Sequence, residues 1–119
     1  MRIGFLLSKS PHSLAGSRTF YHLALGALDL GHEVHAFCRG DGIYQALKGQ
    51  QFPQNEAPNG SPASWWAALM ARGVRVTVNE LCAEVRGLGD AEFFLDGVRL
   101  GDANHLSELA ADCDKVVCL

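Results

Sequence analysis

Cysteine is the residue type in this chain best suited to do chemistry. There are four: Cys38, Cys82, Cys113 and Cys118. A thiolate is a nucleophile and a metal ligand, so the question is which of them is placed to ionise and to be reached. Cys82 stands out by its surroundings, 76-VTVNELCAEVRG-87. An apolar, β-rich run ends at Asn79, a good N-cap, and Cys82 then falls in the first turn of the helix that should follow. Orphan N–H groups and the positive end of the helix dipole can favour a thiolate at such a position, while Glu80 and Glu84 oppose the effect. The plainer alternative is a half-buried cysteine packed as a small hydrophobe.

The other spacings point elsewhere. Cys38 continues an apolar strand and Cys113 ends an amphipathic helix, so both read as core; Cys118, next to last, reads either way. His32, His35 and Cys38 recur every third residue, but side chains alternate along a strand, which sends His35 and Cys38 to opposite faces. That geometry disfavours a shared metal, and with no C-x-x-C pair a zinc ribbon is unsupported. GxGxxG, GxxxxGK[ST] and GxSxG are all missing, so neither phosphate loop nor nucleophile elbow is signalled. His12, after a proline in a polar loop, reads as a solvated side chain.

Composition narrows the class. The chain has 119 residues, 48% hydrophobic and 19% charged, enough apolar surface for the core of one compact domain spanning 1–119. Its net charge of −3 argues against direct nucleic-acid binding, which needs a surplus of Lys and Arg. No run reaches the ~20 apolar residues of a membrane helix. The opening MRIGFLLSKS reads as a strand rather than a signal peptide, which places the protein in the cytoplasm and makes disulfides unexpected.

The elements that must carry these residues follow from periodicity. Residues 2–7 (RIGFLL) form a near-continuous apolar run, typical of a strand buried on both faces of a parallel sheet. Ser17 is placed to cap a helix from about 18 to 30, with Phe20, Leu23, Ala24, Ala27 and Leu28 on its inner face and Gly31 as its stop. A strand over 33–38, a short helix over 43–48 and a polar Gly/Pro/Asn loop over 49–62 come next. A helix over 63–73 follows, presenting Leu69 and the Trp65–Trp66 pair to the sheet and to subunit packing. Residues 74–78 make a third strand and 79–89 a helix of one or two turns. The stretch 93–100, with Asp96-Gly97 at its centre, suits a hairpin or a short edge strand. Asn104 can cap a helix through about 111, with Leu106, Leu109 and Ala110 inward, and 115–119 closes as a strand. Alternating strands and helices imply an α/β fold: a three-layer α/β/α sandwich with a mainly parallel sheet of about five strands.

In such sheets ligands bind beyond the carboxyl ends of the strands. That rim should gather Lys9 and Ser10 after the first strand, Arg39 and the glycine-rich loop with Tyr44 after the second, and Asn79 and Cys82 after the third.

Several stretches in order resemble the DsrE/DsrF-like family: 2-RIGFLLSKSP-11, 31-GHEV-34, 42-GIYQA-46, 73-GVRVTV-78, 86-RGL-88 and 112-DCDKVVCL-119. The resemblance spans essentially the whole chain. It implies a five-stranded parallel sheet between helices, assembled as trimers or hexamers. It also implies a sulfur relay, in which a persulfide on a cysteine after the third strand passes to a partner. The expected partners are sulfur donor and acceptor proteins together with further copies of the chain. No metal or organic cofactor is required. In Tus-type members the sulfur-carrying cysteine directly follows the strand, where this chain has Asn79. In YchN-type members a second cysteine stands three residues later, ahead of an Arg-Gly pair; Cys82 with Arg86-Gly87 matches it. The resemblance therefore implies Cys82 as the sulfur carrier, lined by Lys9, Ser10, Arg39, Tyr44 and Asn79. A non-catalytic oligomeric subunit and a small-molecule-binding module are the competing readings.

Overall fold

The structure, a computed structural model, describes residues 1–11, 16–50 and 61–119. His12 and most of the 49–62 loop lie outside the described residues. The chain runs β1 (Arg2–Leu7), α1 (Gly16–Asp29), β2 (Glu33–Cys38), a 3₁₀ segment (Gly40–Ala46) and α2 (Pro62–Ala71). It continues through β3 (Arg75–Asn79), α3 (Glu80–Glu84), a 3₁₀ turn (Ala91–Phe93), β4 (Arg99–Gly101), α4 (Ala103–Asp112) and β5 (Lys115–Cys118). The five strands form one sheet in the order β4-β3-β2-β1-β5, and every neighbouring pair is parallel. The expected sandwich is therefore the observed one.

Strand alternation sorts the core. Phe5, Leu7, Val34, Ala36, Cys38, Val76 and Val78 join Phe20, Ala24 and Ala27 of α1 and Trp66 and Leu69 of α2 in one large cluster. The intervening Leu6 and Phe37 pack with Leu109 of α4 on the other face, in a smaller one. Two helices thus cover one face and α4 covers part of the other. Phe20 and Trp66, both 0% exposed, stack with centroids 4.6 Å apart and anchor the larger cluster. Each large buried side chain stabilises by about 1.5–3 kcal/mol.

Glycine ends the helices as the sequence suggested. At the end of α1 Gly31 has φ 85°, and the N–H groups of Gly31 and His32 donate to Leu28 O and Ala27 O at 2.9 and 3.0 Å. This is the Schellman pattern, which needs a left-handed residue that glycine adopts without strain.

Several local expectations are corrected. Ser17 lies inside α1 and is buried; its hydroxyl donates to Gln45 Oε1 instead of capping the helix. Leu23 is 46% exposed, because α1 turns Phe20, Ala24 and Ala27 to the sheet and leaves Leu23 on its flank. The helix expected over 43–48 is a 3₁₀ segment that starts earlier, at Gly40. In α2 it is Trp66 that faces the sheet, while Trp65 is half-buried and stacks on Tyr21 at 5.6 Å. Of the two readings of 93–100 the short edge strand holds and the hairpin does not: Gly97 turns the chain with φ 93° into β4, which pairs parallel to β3 at the sheet edge. The cap of α4 is Asp102, accepting from Asn104 N at 2.9 Å, with His105 Nδ1 returning the bond to Asp102 N–H at 3.0 Å. Asp caps as well as Asn does, and the reciprocal bond with His105 sets the start two residues upstream. Ala110 is exposed, so Leu106 and Leu109 alone form the inner face of α4.

Candidate functional site

The carboxyl ends of β1, β2 and β3 share one rim, since the register pairs Leu7 with Cys38 and Cys38 with Val78. The 3₁₀ segment leaving β2 crosses that rim and organises it. Its approach is close: a Cβ built on Gly42 would stand 2.0 Å from Leu7 O, so only glycine fits there. Gly42 N donates to Arg39 O at 2.9 Å, and Arg39 N donates to Leu7 O at 3.0 Å.

On one side of this segment lies the first loop. Gln45, 1% exposed, donates through Nε2 to the Lys9 carbonyl at 3.0 Å and accepts from the Ser17 hydroxyl. A buried amide is stable only when so paired. Arg39 Nε donates to Ser8 Oγ at 3.3 Å, so this cation reaches toward the first loop. Lys9 is exposed, and Ser10 and Tyr44 are half-buried, with Tyr44 packed against the large core.

On the other side lies α3. Asn79 ends β3 and caps this helix: its Oδ1 accepts from Cys82 N at 3.1 Å. Cys82 is half-buried and packs against the large core, at the mouth of the sheet. Arg86 reaches back one turn, its Nη1 donating to Cys82 O at 3.0 Å. Its Nη2 and Nε meet Asp41 Oδ1 at 3.0 and 3.3 Å, tying α3 to the 3₁₀ segment. Beside Cys82 in the chain, Leu81 of α3 (66%) and Val85 at its C-terminal cap (71%) are exposed, one turn apart. Ala83 faces the core instead.

The other cysteines differ in kind. Cys38 is fully buried, and burial pushes its thiol well above the ordinary range. Cys113 is half-buried beside Leu109, and its thiol is also raised, by burial first. Cys118 is exposed on β5. His35 and Cys38 do point to opposite faces, His35 into a cleft beside α4 and Cys38 into the large core. Among the described residues, no cluster of His, Cys, Asp or Glu is arranged to hold a metal ion.

Of the residues singled out from sequence, Asn79 and Cys82 are joined by a direct hydrogen bond. Arg39 and the Lys9 carbonyl belong to the neighbouring group around Ser8 and Gln45. Sequence reading placed Asp41 in the loop after the second strand without a partner, and missed Gln45. Asp41 lay in view in 39-RGDG-42, but its partner is 45 residues away. Arg86 was marked only through the Arg86-Gly87 pair.

A five-stranded parallel sheet with a capped cysteine at its carboxyl rim defines a class of small α/β proteins. The DsrE/DsrF-like family model matches residues 1–119, and this chain belongs to that family. An uncharacterized protein from Methanopyrus kandleri, MK0008, is 30% identical over 115 residues, covering 97% of this chain and 91% of its own. Among solved structures, the YchN protein from E. coli superposes with a TM-score of 0.87 at 20% identity, covering 100% of this chain and 99% of that one. MTH1491 from Methanobacterium thermoautotrophicum, a protein of unknown function, gives a TM-score of 0.72 at 12% identity, with coverage of 99% and 98%. At these identities the two structures speak for the fold. Among the described residues, no helix is long and apolar enough to cross a membrane.

Proposed function

We propose that this chain is a sulfur-relay protein that accepts and hands on persulfide sulfur through Cys82. One observation carries the reading: Cys82 stands half-exposed at the carboxyl rim of the sheet, its N–H taken by Asn79 and its carbonyl held by Arg86. The backbone around the thiol is thus fixed from both sides, which is what a positioned nucleophile requires. In the accepting step the Cys82 thiolate attacks the outer sulfur of a donor persulfide. A new S–S bond forms at Cys82, the donor S–S bond breaks, and the donor leaves as a thiolate. The transferred sulfur keeps its proton, and there is no net oxidation. A second attack, by an acceptor thiolate on the outer sulfur of the Cys82 persulfide, completes the relay. The rim needs no metal for this. Leu81 and Val85 supply exposed apolar surface beside Cys82 on which a donor or acceptor protein can dock.

Further copies of the chain and cytoplasmic sulfur carriers are the partners this reading calls for. Lys9, Ser10, Arg39 and Tyr44 then line the approach to the rim rather than contact the sulfur. The competing reading, a non-catalytic oligomeric subunit, draws on Asn79, whose side chain serves as a helix cap where Tus-type relatives carry a thiol.

Mass spectrometry after incubation with a persulfide donor distinguishes the two. One added sulfur on the peptide containing Cys82, absent in Cys82→Ser and removed by an acceptor thiol, supports the relay. An unmodified Cys82, or sulfur spread evenly over Cys82 and Cys118, leaves the non-catalytic reading.

A further inference from the structure

The face of the sheet that α4 covers holds a second candidate site, whose lining does not include Cys82. Alternation sends His35 of β2, Arg75 and Thr77 of β3, and Arg99 of β4 to this side, and α4 packs mainly over β1 and β2. A cleft of about 90 Å³ remains between the flank of α4 and the uncovered strands.

Its two walls carry opposite charge. On the sheet wall, Arg75 is the direct neighbour of His35, and Arg99 is the direct neighbour of Thr77. The Thr77 hydroxyl, on a residue only 6% exposed, accepts from Arg99 Nη2 at 3.1 Å and Nε at 3.3 Å, which fixes that guanidinium along the sheet. On the helix wall stand Glu108 and Asp112, one turn apart and so on one face of α4. Among the described residues the arginine–carboxylate ion pairs are Arg2–Glu33, Arg72–Asp29 and Arg86–Asp41. None of the four charges of the cleft joins one. His35 is held below its ordinary value, by burial first and then by Arg75 and Arg2, against the opposing pull of Glu33 and Asp112.

Two unpaired guanidiniums facing two unpaired carboxylates suit neither a simple anion nor a simple cation, since each would be repelled by one wall. We propose that this cleft binds a small zwitterion, an α-amino acid whose carboxylate meets Arg75 and Arg99 and whose ammonium meets Glu108 and Asp112. The size agrees. The cleft, of about 90 Å³, has room for several waters, and so for the charged core of an amino acid with a short side chain. Phe37 and Leu109, among the lining residues, give the contact an apolar floor. Arg–carboxylate pairing supplies direction as well as energy. The proposal stands independently of the sulfur relay.

Titration of the full chain with glycine and with alanine, followed by the amide resonances of Thr77, Arg99 and Glu108, tests it. Saturable shifts are expected with either amino acid. Acetate and methylamine, which each present one half of the ligand, should bind at least about tenfold more weakly. Arg75→Gln and Glu108→Gln, both at exposed positions, should each weaken glycine by a similar factor while leaving the fold intact. Acetate or inorganic phosphate saturating as well as glycine would reduce the cleft to an anion site and overturn the proposal. So would an absence of saturable shifts, or shifts that follow protein concentration alone, which would mark this face as a contact between copies.

Discussion

Asp41 and Arg86 form an ion pair at 3.0 Å between the 3₁₀ segment after β2 and the residues that follow α3, and the same arginine holds the carbonyl of Cys82. One guanidinium thus couples the two loops of the rim at the candidate thiol. The pair is exposed on its acidic side, where Asp41 is 62% open.

Removing the cation should slow the thiol. Arg86→Gln is expected to reduce iodoacetamide labelling of Cys82 at pH 7 by about two- to fivefold, the effect of one nearby charge in a partly solvated site. Asp41→Asn, which frees the same charge, should speed it by a similar factor. Asp41→Asn should not change stability by more than about 1 kcal/mol, because the carboxylate is exposed, whereas Arg86→Gln also loses the bond to the Cys82 carbonyl and should cost about 1 kcal/mol more. Rates unchanged in both variants would remove Arg86 from any electrostatic role.

Asn79 can be tested as a cap separately from charge. Asn79→Ala should cost about 1 kcal/mol, seen as a lower urea midpoint at constant slope. Asn79→Asp keeps an oxygen acceptor for Cys82 N–H, so stability should hold, while the added carboxylate slows alkylation of Cys82. Equal loss of stability in both would show that the amide does more than cap α3.

Gly42 and Gly4 should differ sharply. A Cβ at Gly42 meets the Leu7 backbone, at 2.0 Å from O and 2.6 Å from C, and backbone in a buried strand does not yield. Gly42→Ala is expected to destabilise by about 3 kcal/mol or more, lowering Tm by roughly 10 °C. At Gly4 the nearest atoms are Leu109 Cδ2 at 2.8 Å and Cys113 Sγ at 3.0 Å, both side-chain ends. Gly4→Ala should cost about 1 kcal/mol. Thermal melts of the two variants check the contrast.

Cys38 makes stability depend on pH in the alkaline range. Its thiol is raised in the folded chain by burial alone, above an ordinary value near 9.0. The unfolded chain therefore loses this proton first, binds fewer protons than the folded chain, and gains from rising pH. The contribution is intact below pH ~8.5 and is lost above it, by up to ~1.4 kcal/mol for each pH unit. Urea midpoints of the native chain should fall faster between pH 9 and 10.5 than those of Cys38→Ala. Parallel slopes would show that Cys38 is not the group responsible.

The candidate site was half legible. Cys82 and Asn79 could be read together because a cap and the residue it serves are close in sequence, and the hydrogen bond at 3.1 Å agrees. Arg39 could be placed on the rim but not aimed, and it turns to Ser8. Gln45 carried no local signal: a glutamine looks solvent-exposed until Ser17 and the Lys9 carbonyl are brought to it.

By itself the sequence determined the elements, their order and most of their ends, because apolar period, N-caps and glycine stops act over a few residues. It thereby put Cys82 in a first helical turn behind a buried strand. Only the tertiary structure decided the strand order β4-β3-β2-β1-β5, the pairing of Asp41 with Arg86, and the cleft between α4 and β3. These depend on which residues distant in the chain are brought within a few ångströms. That is set by how two helices and one share the faces of the sheet, a sum over the whole core that no short window contains.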